Sequence, residues 1–429
     1  MLESSFVSKL KNDLSKYNQE FNRKFPGDSS KRQPVHTFYG GAHLFKSDIV
    51  KKIASVALES LNTNAPNADE FARAMGISGT KVFCETVYER VRAKLLKEAV
   101  EDYRIDFEDG YGSRADEEED VHAKSVALEV AKGFKESTLP PYIGIRIKPF
   151  SDELFIRSVR TMDLFISTML DSTKGKLPSE FVITIPKITS PVQVSTLVEI
   201  LKKLDPSSST KIPIEFMIET QQSIFSTNGS AALQELVAAA QGRCMGAHFG
   251  TYDYTASSGI TAAYQTMDHK ACDFARTVMQ VCLAGTGIFL SDGATNIMPV
   301  GDIETVQKVW KLNFTHVRNS LIAGFYQGWD LHPAQLPVRY AAIYSFFLEN
   351  LPAASSRLKA FVDKATQATL LGDVFDDAAT GQGLLNYFLR AINCGAITES
   401  EALSTGLSLE EIRSRSFHKI MEKRRKSAK

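Results

Sequence analysis

One recurring order constrains this chain more than any other feature. Short, nearly continuous apolar runs are each followed by polar or glycine-rich residues and then by a longer stretch of helical period. The runs are VHTFYGG (35–41), YRIDFEDGYG (103–112), YIGIRIKPF (142–150), EFVITIPKI (180–188), IPIEFMIET (212–220), RCMGAHFGTYDY (243–254), GIFLSDGAT (287–295) and GWDLHP (328–333). Strands of a parallel sheet read this way because crossover helices bury both of its faces. Segments such as Val192–Leu204 and Asp273–Leu283 have the spacing of those helices. Eight repeats predict an α/β fold, a (β/α)8 TIM barrel over residues 31–338.

Three regions depart from the repeat. Residues 1–30 read as a helical N-terminal extension that packs on the larger body, ending in the breaker-rich PGDSSKRQP. Residues 46–100 hold two helical patterns and a long join, which predicts an insertion with its own helix. Beyond Val338 no strand-like run follows, so residues 339–429 read as a helical C-terminal region.

Composition narrows the function. Lys plus Arg is 50 and Asp plus Glu is 50, so no global field draws the chain to nucleic acid or an anionic membrane. The longest apolar runs fall short of the roughly 18 residues a membrane span needs. The first 25 residues carry charges every few positions and lack a signal-peptide core. The cysteines, Cys84, Cys244, Cys272, Cys282 and Cys394, have no metal-site or disulfide spacing. A cytoplasmic enzyme or binding protein is the expectation, without nucleic acid or membrane partners. No Walker A, GxGxxG or GxSxG motif is present, so neither a nucleotide cofactor nor a serine nucleophile is indicated.

In a parallel barrel the C-terminal strand ends meet at one face, so polar residues there converge from distant sequence positions. They are Glu108 and Asp109, Arg146 and Lys148, Lys187, Glu219, Asp253, Asp292, and Asp330 with His332. Glu219 and Asp253 end apolar runs, where an unpaired charge is costly. Two such carboxylates suit Mg2+, which keeps several waters; taken singly, Glu219 reads rather as a cap of the next helix and Asp253 as the partner of an arginine, and it is the two together that point to the ion. Arg146 either receives a substrate carboxylate or pairs with Glu108 or Asp109. Lys187 either reaches the cavity or holds a neighbouring carboxylate. His332, before a proline, reads as a loop-orienting residue.

Six segments in order, FEDGYG (107–112), GIRIK (144–148), TIPKIT (184–189), FMIETQQSI (216–224), HFGTYDYTASSGI (248–260) and LHPAQLPV (331–338), resemble the citrate lyase β-subunit and HpcH/HpaI aldolase superfamily. The resemblance implies a TIM barrel, assembled as a trimeric or hexameric homo-oligomer, that makes or breaks a carbon–carbon bond through a metal-stabilised enolate. It implies Glu219 and Asp253 as ligands of Mg2+, with Mn2+ as a substitute. Arg146 would hold a 2-oxoacid, and Gly250, Thr251 and Tyr252 would meet the substrate carboxylate. Asp109, Arg146 and Lys187 are the catalytic candidates, with Asp109 or a metal-bound water moving the proton.

The pattern also departs from the superfamily. Lys148 stands where an Asn is expected, and Gly110 and Tyr111 follow Asp109 where the aldolase branch carries an EH-type pair, which favours the citrate-lyase-like branch. In that branch a C-terminal acid reaches a neighbouring subunit, and Asp376 or Asp377 is the counterpart. The substrate expected is a small oxo- or hydroxy-carboxylate, free or as a CoA thioester. A malate-synthase-like condensing enzyme and a non-catalytic barrel that keeps the metal site are the alternatives.

Overall fold

The computed structural model describes residues 2–27, 29, 31–205, 207, 210–364, 378–414, 416, 419–420 and 422–424. Its eight strands are β1 (His36–Gly41), β2 (Asp102–Asp106), β3 (Tyr142–Arg146), β4 (Phe181–Ile185), β5 (Ile214–Ile218), β6 (Cys244–Phe249), β7 (Phe289–Ser291) and β8 (Gly328–Asp330). All pair in parallel, in the order β7-β6-β5-β4-β3-β2-β1-β8. A bridge between Ser291 and Gln327 closes the ring, reinforced by Asp292 N–H to Gln327 O (2.8 Å) and Trp329 N–H to Gly293 O (3.1 Å). This is the expected (β/α)8 barrel. β7 and β8 are shorter than their apolar runs because the chain leaves the ladder at Asp292 and Leu331 to form the mouth.

The helices are α1 (Ser4–Lys24), α2 (Ile49–Asn64), α3 (Ala68–Met75), α4 (Lys81–Glu98), α5 (Asp116–Glu136), α6 (Phe155–Thr173), α7 (Pro191–Leu204), α8 (Gln221–Ile224), α9 (Ala232–Ala239), α10 (Thr251–Ser257), α11 (Lys270–Leu283), α12 (Ile303–Ile322), α13 (Leu336–Lys364), α14 (Ala378–Asn393), α15 (Glu399–Ala402) and α16 (Leu409–Arg413). Their starts follow local chemistry. At α7, Ser190 and Gln193 form a capping box ahead of Pro191, and at α5 four acidic residues occupy the first turn, where the helix dipole favours them. The long first unit holds α2, α3 and α4, and α13 packs on α4 and α12 around the fully buried Trp310, Tyr340 and Tyr344. No described helix is long and apolar enough to cross a membrane.

The N-terminal extension differs from expectation: α1 buries no residue. Its apolar stripe, Leu10, Leu14, Tyr17 and Phe21, is exposed. After α1 the chain turns at Pro26–Gly27, where Gly27 N–H bonds Gly285 O (2.8 Å) at the barrel floor, so the helix meets no facing apolar surface among the described residues.

Strand alternation sends every second side chain inward. Below the mouth this makes a buried ionic layer. Arg104 Nη2 lies 2.8 Å from both Asp102 and Glu215, Glu215 also meets His248 Nε2 (3.2 Å) and Thr184 Oγ1 (3.0 Å), and Thr37 donates to Asp102 (2.8 Å). Arg104 crosses the barrel only because residue 144 has no side chain. A Cβ there would stand 2.1 Å from both Arg104 Nη1 and Val182 O. Gly144→Ala is therefore expected to destabilise the fold by about 1–3 kcal/mol, the usual cost of overpacking, and thermal denaturation beside the wild type measures it.

Candidate active site

The strand ends surround one cavity of about 490 Å3 at the mouth. Asp106, Asp109, Arg146, Glu219, Gly250, Thr251, Tyr252 and Asp253 line it on one side, and Tyr39, Leu44, Trp329 and Leu331 on the other. Residues more than a hundred positions apart in the chain thus meet at one site.

Arg146 lies at the cavity wall, buried. Its Nε and Nη2 grip Asp106 Oδ1 and Oδ2 at 2.7 and 2.5 Å, and its Nη1 lies 3.0 Å from Glu108. Its plane faces the Tyr39 ring at 5.0 Å, and Tyr39 stacks on Trp329 at 4.5 Å. Burial works against the guanidinium's charge, but Asp106 outweighs it and holds the pKa well above its ordinary value. The ion pair left open by the sequence is therefore with Asp106 and Glu108, not Asp109. Asp106 in turn accepts from Glu108 N–H (3.0 Å) and Gly110 N–H (2.7 Å). Asp106 is not among the residues that the sequence motifs single out, although the inward alternation Asp102, Arg104, Asp106 along β2 carries the signal.

Glu219 is buried at the end of β5. Its Oε1 accepts the Lys187 N–H at 2.7 Å. Burial first, then the negative charges of Asp253 and Glu108, push its carboxyl up to about 8. A Cβ on residue 250 would stand 2.4 Å from Glu219 Oε2, so Gly250 makes room for this carboxylate. The Gly250 N–H itself is spent on Ile218 O (3.0 Å). Thr251 is 1% exposed and its hydroxyl has no hydrogen-bond partner among the described residues. The Tyr252 hydroxyl is occupied, donating to Ala294 O (2.8 Å) and accepting from Asn296 N–H (2.9 Å).

Lys187 has φ +49°, a left-handed conformation unusual for a residue with a side chain. That turn points its N–H at Glu219 and its ammonium at Glu108, at Asp109 (3.0 Å) and at Asp253 (3.5 Å). Burial lowers its pKa, but Glu108 more than offsets this and keeps the amine protonated. Asp109 is 59% exposed; burial raises its pKa, and the charges of Lys187 and Arg146 overcome that and leave it lowered. Burial raises Glu108 despite Arg146 and Lys187.

The other strand-end residues are turned away. Lys148 Nζ bonds Phe107 O (2.7 Å) and Glu119 (3.1 Å). Asp292 is held by Arg276 (2.8 Å) and Ser320 (2.6 Å), and Asp330 by Arg339 (3.0 Å). His332 caps the following turn, its Nδ1 accepting from Ala334 N–H (3.2 Å). Asp376 and Asp377 lie outside the described residues.

No three His, Cys, Asp or Glu side chains are grouped to hold a metal among the described residues. What is present is a carboxylate pair, Glu219 and Asp253, whose mutual repulsion is relieved only in part by Lys187. Oxygen donors with uncompensated charge and open solvent positions fit a hard divalent cation such as Mg2+, which binds through one or two carboxylates and retains waters.

The sequence profile of the family described as Domain of unknown function (DUF6986) matches residues 14–420. Among curated proteins nothing matches. Among solved structures, the chain is similar to a citrate lyase from Burkholderia xenovorans LB400, with 18% identity, a TM-score of 0.56, and coverage of 87% of this chain and 97% of that one. It is also similar to protein CitE from Mycobacterium tuberculosis in complex with magnesium, acetoacetate and coenzyme A (15% identity, 85% and 99% covered, TM-score 0.49). A third is malate synthase from Haloferax volcanii as its lead(II) complex (12% identity, 91% and 98% covered, TM-score 0.49). At 18% identity the likeness to the Burkholderia citrate lyase is one of fold.

The Glu219 carboxyl makes metal-free stability depend on pH. An unfolded Glu titrates near its ordinary 4.5, so between about pH 5 and 8 the folded protein keeps a proton that the unfolded chain has lost. Stability of the metal-free protein should fall as pH rises through that window, by up to about 1.4 kcal/mol per unit. Glu219→Gln should remove that contribution, giving a higher melting temperature than wild type at pH 8 and little difference at pH 5 in chelator.

Proposed function

The chain belongs to the family described as a domain of unknown function, DUF6986, and we propose that it is a Mg2+-dependent carbon–carbon lyase acting on a small oxo- or hydroxy-carboxylate. The observation that carries this reading is the buried Glu219, held beside Asp253 in the cavity that also presents Arg146. A carboxylate at that depth is unfavourable without a cation. Glu219 and Asp253 would hold the ion, with Mn2+ as a substitute. Bound there, the ion would supply Lewis acidity to the 2-oxo oxygen of the substrate.

The protein's own groups would do the rest. Arg146, its plane fixed by Asp106 and Tyr39, would direct its remaining N–H groups at the same substrate oxygen, where charge develops as the bond breaks. The Thr251 hydroxyl and the first-turn N–H groups of Thr251, Tyr252 and Asp253 would meet the substrate carboxylate. Gly250 would serve through the space it leaves for Glu219. Asp109, exposed and ionised, would accept the hydroxyl proton of a 4-hydroxy-2-oxoacid. The C3–C4 bond then breaks, its electron pair passing into the enolate of the oxoacid half. The C4 carbon leaves as a carbonyl, and C3 takes up a proton. Lys187, protonated, would fix the geometry of the surrounding acids rather than move a proton.

The citrate-lyase-like branch, a cytoplasmic setting and a trimeric or hexameric homo-oligomer belong to the same proposal, as does a barrel spanning residues 31–338 between helical ends. The five cysteines are free, as in a reducing compartment.

Exchange of the C3 protons of pyruvate in D2O, followed by NMR, tests enolate formation whatever the true substrate. Exchange should require Mg2+ or Mn2+, disappear in Glu219→Gln and Asp253→Asn, and fall by about 10²–10³-fold in Arg146→Lys. Metal-independent exchange, or full exchange in Glu219→Gln, would refute the assignment.

A further inference from the structure

The mouth is divided by chemistry. Its charged half lies over β2, β3, β5 and β6 and carries Asp106, Asp109, Arg146, Glu219 and Asp253. Its other half, over β7, β8 and β1, presents Leu44, Ala294 and Leu331, with Tyr39 and Trp329 at the boundary, where the Arg146 guanidinium lies 5.0 and 5.9 Å from their rings. Leu44 is 59% exposed at the rim, and the turn that carries it follows β1 directly. At about 490 Å3 the cavity is several-fold larger than a three-carbon oxoacid, so such a head on the charged half leaves the apolar half free.

We propose that the substrate is a 4-hydroxy-2-oxo monocarboxylate whose chain beyond C4 is apolar, with the tail lying against Leu44, Trp329 and Leu331. This rests on the reading of Glu219, Asp253 and Arg146 given above and adds the specificity. Charge complementarity supports one carboxylate and opposes a second. Among the described residues Arg146 is the only cationic one lining the cavity, and it already shares Asp106 and Glu108. The nearby Lys187 ammonium is shared among Glu108, Asp109 and Asp253. A distal carboxylate would face Asp109 or the leucines and gain no partner at either. An apolar tail would remove Leu44 and Leu331 from water, each buried methylene contributing to affinity.

N-substituted oxamates test this, because they keep the oxoacid head, put nitrogen in place of C3 and cannot be cleaved. Calorimetric titrations with Mg2+ present compare oxamate, N-butyl oxamate and N-carboxyethyl oxamate on the full chain. N-butyl oxamate should bind at least tenfold more tightly than oxamate, and N-carboxyethyl oxamate more weakly than oxamate. In Leu44→Asp and in Leu331→Asn the ratio of butyl to parent affinity should fall toward one. Two different substitutions guard against a folding defect in either.

Mg2+-dependent oxamate binding with the carboxyethyl compound equal to or better than the butyl one overturns this inference and leaves the lyase reading intact. Displacement of N-butyl oxamate by an equal concentration of free coenzyme A also overturns it, because the apolar wall would then serve a pantetheine arm. If oxamate itself shows no Mg2+-dependent binding, the lyase reading fails and the inference with it.

Discussion

Two carboxylates brought together at the ends of β5 and β6 are the constraint around which the mouth is arranged. Glu219 is buried and Asp253 bears on it with like charge, so the pair stores repulsion in the metal-free chain. Neighbouring features follow from that arrangement. Residue 250 has to be glycine because Glu219 occupies the place of its Cβ. Lys187 takes a left-handed turn so that one residue can offer both an N–H and an ammonium to the acids. Proteins hold unfavourable local arrangements where they work, and the surrounding barrel keeps this one in place.

The contrast with the layer beneath is informative. Arg104, Asp102 and Glu215 are buried like Glu219, yet Arg104 Nη2 lies 2.8 Å from both carboxylates; burial raises Glu215, but Arg104 together with the groups that hydrogen-bond it brings it down to about 2, whereas burial leaves Asp102 raised. That network joins β2, β5 and β6 through the Arg104 guanidinium, and leaves Asp102 Oδ1, Arg104 Nε and Nη1 and His248 Nδ1 without a hydrogen-bond partner among the described residues. In the upper set Glu219 is instead raised to about 8, by burial first and then by Asp253 and Glu108, although Lys187 and Arg146 are near. The two ionic layers of one barrel thus differ in charge balance: below, Arg104 lies between the two carboxylates it faces, and above, the repulsion between Glu219 and Asp253 is relieved only in part.

Much of this is legible in the sequence, and the parts that are not share a physical cause. The eight apolar runs report the barrel because parallel strands must be apolar on both faces. Glu219 and Asp253 stand out because each ends such a run with a charge. The proline after His332 marks that histidine as a loop residue, which is where it sits. Asp106 and Arg104 are hidden, since which face of β2 turns inward is decided by pairing with β1 and β3 and not by β2 itself. Lys148 and Asp292 sit at strand ends like the site residues, yet Glu119 and Arg276, distant in sequence, draw them away. The exposed α1 reads as packed because amphipathic periodicity reports an apolar face, not whether the same chain covers it.

The central claim is that Glu219 and Asp253 form a divalent-cation site that completes a binding place for an oxoacid. Calorimetric titration of Mn2+, with and without oxalate as a planar mimic of the pyruvate enolate, addresses it directly, because neither probe depends on which oxoacid is the substrate. The account predicts that the wild type binds Mn2+, that oxalate tightens that binding, and that Glu219→Gln binds neither. A wild type that takes up neither ion nor oxalate, or a Glu219→Gln protein that binds both as well as the wild type, would contradict it.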